Sequence, residues 1–178
     1  MAFLSLNSET PYLLFPSEFT NTSKSIDING LVWMGEPAFM KQQIEDKLAQ
    51  GFKCIKLKIG AIDFDKELEL LQFIRSHFTS DQIEIRVDAN GAFDLSEALN
   101  KLNQLNKFEL HSIEQPVRKG NIQAMADLCK ETPFPIALDE ELIGIFSFEE
   151  KEELLQKIKP QYIILKPSFV GGYRGTKE

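Results

Sequence analysis

The stretch Cys54-Ile55-Lys56-Leu57-Lys58-Ile59 alternates apolar and basic side chains. Successive side chains of a β-strand point to opposite faces, so a period of two predicts a strand with both lysines on one face. The isoleucine and leucine side chains then share the other face, which we expect to pack under helices. Lys56 and Lys58 should therefore point away from the helices, into an interior where two like charges need a partner.

Short β-rich runs of this kind alternate along the chain with helical patterns of about a dozen residues, in which apolar side chains recur at spacings of three and four. This alternation predicts βα units that share one parallel sheet. Asp94 and Ser147 are suitable N-caps, and Gly51 and Pro160 are helix stop signals. The predicted strands are Ile26–Trp33, Cys54–Ile59, Gln82–Asp88, Leu110–Glu114, Ile136–Leu138 and Tyr162–Lys166, and the predicted helices are Pro37–Gln50, Asp65–Phe78, Leu95–Asn106, Asn121–Glu131 and Phe148–Lys157.

Two regions follow from this pattern. Residues 1–25, which contain two prolines and a cluster of serine, threonine and asparagine, are expected to form a lead-in segment without strong structure of its own. Residues 26–178 are expected to form one α/β domain.

A charged side chain closes each of five successive predicted strands. The charges recur every 25 to 30 residues, once in each βα unit, and always at the carboxyl end of the strand. Ligands of α/β barrels and open α/β sheets bind at that edge, so we expect the charged side chains to form one site. They are Lys58, Asp88, Glu114, Asp139 and Lys166.

Three of these charges are carboxylates on neighbouring strands, with no histidine or cysteine beside them. Such oxygen ligands suit a hard cation, so Asp88, Glu114 and Asp139 are predicted to bind Mg²⁺, or alternatively Mn²⁺. Glu140 and Glu141 flank Asp139, but strand parity favours Asp139 as the residue that points inward.

The two lysines at the strand ends suggest a reaction. In a ring of eight strands, Lys58 and Lys166 would face each other across the mouth, with the cation between them. Lys56 and Lys58 are like charges on one strand face, and burial and a like charge both lower the pKa of a lysine towards the range of a base. One of the lysines at the mouth could therefore act as the base. This arrangement suits removal of a proton α to a carboxylate, while the cation stabilises the resulting enediolate.

Five short motifs occur at the predicted strand ends, namely Lys56-Leu57-Lys58, Arg86-Val87-Asp88-Ala89-Asn90-Gly91, Ile113-Glu114-Gln115-Pro116, Leu138-Asp139-Glu140 and Leu165-Lys166-Pro167. Together they resemble the muconate-lactonizing branch of the enolase superfamily. The resemblance implies a (β/α)8 TIM-type barrel, and a Mg²⁺-dependent lyase that dehydrates a cyclohexadiene carboxylate to o-succinylbenzoate in menaquinone biosynthesis. It also implies roles: Lys58 as base, Lys166 as the lysine opposite that stabilises the intermediate, Lys56 as a holder of the Lys58 amine and the substrate, and Asn90 as a support behind the site.

The length departs from that family. A complete barrel takes about 250 residues, whereas this chain has 178 and is expected to contain only the first six βα units, without the family's capping domain. Three possibilities therefore stay open: the dehydration itself, a sister reaction such as N-acylamino acid racemization or dipeptide epimerization, and an inactive truncated barrel. The open edges of such a barrel could also support self-association.

The composition of the chain limits the classes of molecule that it is expected to bind. The formal charge of −7 argues against nucleic acid and favours a small carboxylate substrate held with a cation. We find no apolar run long enough for a membrane span and no signal peptide, so a cytoplasmic protein without membrane partners is expected. Cys54 and Cys129 are expected to be buried core residues, and neither is predicted to be a nucleophile.

Overall fold

A computed structural model describes residues 5–11 and 13–178. Residues 1–4 and 12 of the predicted lead-in lie outside the described residues. Six strands alternate with helices, as the sequence predicts. The strands are β1 Gly30–Val32, β2 Cys54–Lys58, β3 Glu84–Asp88, β4 Ser112–Glu114, β5 Ile136–Leu138 and β6 Tyr162–Ile163. The helices are α1 Glu18–Asn21, α2 Pro37–Ala49, α3 Phe64–Arg75, α4 Leu95–Leu105, α5 Ile122–Glu131, α6 Phe148–Ile158 and α7 Gly172–Lys177, with 3-10 turns at Asn106–Phe108, Glu140–Leu142 and Pro167–Phe169.

The sheet is parallel, and its strand order follows the chain from β1 to β6. Because every strand runs the same way, all the strand carboxyl ends lie at one edge, where the charged residues were predicted. The pairing register places Lys58 beside Asp88 and Asp88 beside Glu114. The predicted parallel α/β fold is confirmed.

The two outer strands are shorter than predicted. The pairing of Gly30 with Ile55 puts Asn29 opposite Cys54, the first residue of β2, so residues 26–28 lie beyond the start of β2 and have no strand to pair with. Ile26 and Ile28 are accordingly exposed. At the other edge β6 ends at Ile163, and Lys166 instead lies just before the 3-10 turn Pro167–Phe169. An edge strand has one partner instead of two, and apolar content alone does not define its ends.

The core lies between the sheet and the helices. Ile55 and Leu57 are completely buried, whereas the alternate Lys56 and Lys58 are partly exposed, so the predicted faces of β2 are confirmed. No helix within the described ranges is long and apolar enough to cross a membrane. Helices α2 and α3 cover the face of the sheet that carries Ile55 and Leu57. They contribute the buried side chains Met40, Ile44, Leu70, Leu71 and Ile74.

Local helix signals act as expected. The Asp94 carboxylate accepts from the backbone N–H of Ser96, and the Ser147 hydroxyl accepts from that of Glu150. Gly51 takes φ = 84° directly after α2, a left-handed conformation that glycine adopts without strain. These contacts satisfy backbone groups that helix ends leave unpaired.

The lead-in segment has more structure than predicted. Ser17 and Thr20 form a capping box around the short helix α1, each side chain bonding to the other residue's backbone N–H. The ring of Phe15 lies 5.3 Å from that of Tyr173 in α7. The segment therefore packs against the far end of the described chain.

The loops that follow β2 and β3 touch closely. Gly60 has φ = 92°, and a Cβ placed there would overlap the Cβ of Ala92. Only glycine fits this conformation and this space without a shift of the neighbouring loop. The loop after Lys58 is thus packed directly on the loop after Asp88.

Candidate active site

Lys58 lies at the carboxyl end of β2, and its amine is held by two residues from β3 and the loop beyond it. Nζ donates to Oδ2 of Asp88 at 2.5 Å and to Oδ1 of Asn90 at 2.7 Å. The Lys58 side chain is 15% exposed, so it is largely withdrawn from water yet still accessible from the mouth. The register of β2 against β3 creates this contact, because it places Lys58 directly beside Asp88.

Lys56 lies two residues before Lys58 on β2, so its side chain is on the same face of the sheet. Its Nζ donates to Glu114 on β4 and lies 3.1 Å from Oδ2 of Asp88. One ammonium therefore joins the two carboxylates that the register puts on adjacent strands.

The third predicted carboxylate has a separate lysine. Asp139 is 1% exposed and accepts from Nζ of Lys166, whose side chain is 42% exposed. The structure thus brings Lys56, Lys58, Asp88 and Glu114 into one cluster. Asp139 and Lys166 form a separate ion pair just after β5 and β6.

Burial and charge act in opposite directions on the two central acids. Burial raises the pKa of Glu114 to about 7, and the neighbouring Asp88 and Asp139 carboxyls add to that rise against the opposing effect of Lys56. Burial also works against ionised Asp88, but the hydrogen bonds and charges of Lys58 and Lys56 hold its pKa below the usual value. Asp88 is therefore the firmly ionised member, and Glu114 can hold a proton near neutrality.

The expectation of a lowered lysine pKa is wrong for Lys56. Burial does lower it, but the hydrogen bond to Glu114 and the charges of Asp88 and Glu114 outweigh burial and raise the pKa. The prediction treated Lys56 and Lys58 as like charges. The pattern of a single strand does not show that the Lys56 amine contacts Asp88 and Glu114. Lys56 is therefore a fixed cation that links two acids.

The family model described as enolase C-terminal domain-like matches residues 39–178. The chain belongs to this family. It is 56% identical over 97% of its length to the o-succinylbenzoate synthase of Desulfotalea psychrophila, of which it covers 47%. The crystal structure of MenC from Desulfotalea psychrophila has a TM-score of 0.82 and 54% identity, over 93% of this chain and 46% of that one.

The substrate-liganded L-Ala-D/L-Glu epimerase of Bacillus subtilis is more distant. Its TM-score is 0.74 at 27% identity, over 85% of this chain and 41% of that one. The enolase-like chain spans less than half the length of the relatives it matches. Its six βα units correspond to part of the barrel, as the sequence predicts.

The three predicted ligands of the cation are kept apart by lysine side chains. Within residues 5–11 and 13–178, no group of three or more acidic, histidine or cysteine side chains is gathered tightly enough to hold one metal ion. Lys56 lies between Asp88 and Glu114, and Lys166 binds Asp139. The donor chemistry nevertheless fits a hard cation, because all three side chains supply carboxylate oxygens and are buried. The three acids stay a prediction, and the ammonium groups must turn aside for them to act together.

Asn90, predicted as a support, links Lys58 to a residue that sequence analysis did not select. Its backbone has φ = 45°, and its Nδ2 donates to Oε1 of Glu140 at 3.0 Å. Strand parity could not place Glu140, because β5 ends at Leu138 and Glu140 begins a 3-10 turn. The only available signal was its position next to Asp139.

The prediction of buried core cysteines is confirmed for Cys129 and is wrong for Cys54, which lies partly exposed on the β2 face that carries the lysines. Burial raises the pKa of both Cys54 and Cys129 to about 11, so neither is a thiolate near neutral pH. Cys129 is buried, whereas Cys54 is only partly buried and contacts Glu84. Neither takes part in the cluster around Lys58.

The raised pKa of Glu114 predicts a pH-dependent stability. Between its ordinary value of 4.5 and about 7, folded Glu114 binds more protons than unfolded Glu114. Its contribution to the free energy of unfolding is therefore full below pH 4.5 and is lost as the pH rises towards 7, by at most about 3 kcal/mol. In metal-free buffer, we expect the free energy of unfolding of the Glu114→Gln variant to rise relative to that of the wild type as the pH increases over this range. Denaturant unfolding at several pH values measures this, and a difference that does not change with pH would contradict it.

Proposed function

We propose that the natural protein containing these residues is a cytoplasmic Mg²⁺-dependent lyase that forms o-succinylbenzoate in menaquinone biosynthesis. The observation that carries the proposal is the 56% identity to an o-succinylbenzoate synthase over 97% of this chain. The site supports it, since three neighbouring carboxylates lie between ammonium groups along one edge of a parallel sheet. Its substrate is then a small carboxylate.

Lys58 is the proposed base. Its amine is available from the mouth and is oriented by Asp88 and Asn90. Nζ takes the proton α to the carboxylate, and the electron pair of that C–H bond moves into the enediolate. The same ammonium then returns the proton to the departing hydroxyl, which leaves as water. Substrate proton and hydroxide thus leave on one face, and the product gains a double bond.

Lys166 and Lys56 are proposed to act through their charges. Lys166 is the more exposed of the two, and among the described residues its amine pairs with Asp139 alone, so it can stabilise the ring of the intermediate from the side opposite Lys58. Lys56 holds Asp88 and Glu114 at a fixed spacing and adds positive charge near the substrate carboxylate. Both roles rest on electrostatics in a partly buried site.

Asp88, Glu114 and Asp139 are the proposed ligands of Mg²⁺, with Mn²⁺ as a substitute. When bound, the cation would supply positive charge to the carboxylate of the substrate as the enediolate forms. Asn90 would support this arrangement by fixing both the Lys58 amine and, through its backbone N–H, Oδ1 of Asp88.

The sister reaction is racemization or epimerization. It is favoured by a second lysine, Lys166, with a carboxylate partner of its own, and by the likeness to a dipeptide epimerase. In that reaction Lys166 would deliver a proton to the opposite face, and no water would leave.

The test is an assay of the natural protein with Mg²⁺ and three substrates: the cyclohexadiene carboxylate, an N-succinylamino acid and L-Ala-L-Glu. We expect o-succinylbenzoate from the first, with loss of the reaction when the cation is chelated. Epimerization of a dipeptide or racemization of the amino acid, without dehydration, would support the sister reaction. No conversion of any substrate would contradict both.

A further inference from the structure

Gln115 lies between the predicted ligand Glu114 and Pro116, and no function has been given to it above. It is 0% exposed, so its side-chain amide has no contact with water. Its backbone has φ = 40°, a left-handed conformation that residues other than glycine seldom adopt. A buried amide in such a conformation is held there by its contacts.

The amide of Gln115 uses all its hydrogen-bonding positions on the strand ends around it. Oε1 accepts from the backbone N–H groups of Asp139 at 3.3 Å and Glu141 at 3.4 Å. Nε2 donates to the carbonyl oxygen of Val117 at 3.0 Å and to Oε1 of Glu141 at 3.5 Å. A glutamine amide offers two donors and two acceptor lone pairs, so this one is fully satisfied.

The backbone of Gln115 adds two further links. Its N–H donates to the carbonyl oxygen of Ala137 on β5 at 2.9 Å, and its carbonyl oxygen accepts from Gly91 after β3 at 2.7 Å. Glu141, which is 7% exposed, extends the network by accepting from the N–H of Gly120. One residue therefore joins the carboxyl ends of β3, β4 and β5, which carry Asp88, Glu114 and Asp139.

From this network we infer that Gln115 is a positioning residue that fixes Glu114 and Asp139 relative to each other. Glu114 precedes it in the chain, and the backbone N–H of Asp139 is bound to its side chain. A change at Gln115 moves both carboxylates together, whereas a change at either acid leaves the other in place. The inference rests on the proposed function in one respect, namely that these two acids share a cation.

A second glutamine provides a matched control. Oε1 of Gln161 accepts from the N–H of Ile136, and its Nε2 donates to the carbonyl oxygen of Cys129. It also bridges strand and helix through both ends of its amide. However, it does so at the amino end of β5, on the opposite edge of the sheet from the predicted ligands.

The first experiment compares Gln115→Leu and Gln161→Leu by calorimetric titration with Mg²⁺, with Mn²⁺ as a spectroscopic substitute. Partners of metal ligands typically change affinity by roughly 10- to 100-fold when they are replaced, and we expect a loss of this size for Gln115→Leu. Gln161→Leu should keep the wild-type affinity even if its melting temperature falls. Equal affinities of wild type and Gln115→Leu would overturn the inference.

The second experiment needs no cation, and its first measurement needs no variant. Amide hydrogen exchange of the natural protein should show the N–H groups of Asp139 and Glu141 protected, and in a folded Gln115→Leu variant they should exchange at least about tenfold faster. Unprotected Asp139 and Glu141 in the wild type would overturn the inference. If the wild type binds no Mg²⁺, the Mg²⁺ dependence in the proposed function is contradicted. The exchange data alone then decide the role of Gln115.

Discussion

Lys58→Ala is expected to abolish exchange of the substrate α-proton with deuterated solvent in the natural protein. The variant removes the only amine that contacts both Asp88 and Asn90 within the described residues. Loss of a general base lowers a rate by roughly 10²- to 10⁴-fold, so the residual exchange should fall close to the background. Proton NMR of the substrate in D2O measures it directly.

Two variants control this result. Lys53→Ala removes an exposed lysine just before the same strand and should keep the wild-type exchange rate. Lys166→Arg retains the positive charge and should keep part of the exchange, because its role is electrostatic. A thermal melt must show that Lys58→Ala is folded, and Lys56 still pairs with Asp88 in that variant. Exchange at nearly the wild-type rate in folded Lys58→Ala would show that another group is the base.

The second large effect is expected for residues 1–178 expressed alone. Strands β1 and β6 are the edges of the sheet and have unpaired backbone groups on one side. Beside β6, a largely apolar groove of about 370 Å³ runs between α6 and the residues after the strand, with Ile163 and Leu165 exposed. We expect a second copy of the chain to cover this surface, giving oligomers or a partly molten state with no o-succinylbenzoate formation. Analytical ultracentrifugation and an activity assay test this.

A charge at the edge should reverse the association. Leu165→Lys places an ammonium on the exposed edge and should shift the chain towards monomer, since edge lysines oppose strand pairing. Leu95→Lys is the matched control, because Leu95 is similarly exposed but lies at the start of α4, away from both edges. A monodisperse wild-type monomer with a sharp melt and Mg²⁺-dependent turnover would contradict the prediction.

The inner strands were the most predictable part of the fold. Strand β2 has a neighbour on each side, so its alternating pattern reports real burial, and Ile136–Leu138 was predicted at its observed bounds. The outer strands were overestimated, because residues 26–28 extend past the start of β2 and residues 165–166 extend past the pairing of β6 with β5, in which Ile164 still donates its backbone N–H to Leu138. Pairing between distant segments is information that a local pattern does not contain.

The site was predictable wherever strand parity applies. Parity and spacing selected Lys58, Asp88 and Glu114, which the structure places in one cluster. Beyond the strand ends parity fails, so Glu140 and Gln115 were not selected. The pKa of Lys56 was predicted in the wrong direction, because its value depends on contacts with two acids that are 32 and 58 residues away in sequence.

The contact between Gly60 and Ala92 has a consequence for how this edge of the sheet can be varied. The two loops leave no room for a side chain at position 60, so a loop that brings a Cβ to this position also requires a change at Ala92. Substitutions at the two positions are therefore expected to be non-additive. Ala92→Gly would relieve the overlap caused by Gly60→Ala but not its backbone strain at φ = 92°. Positions 60 and 92, in the loops that follow Lys58 and Asp88, therefore have to be changed together.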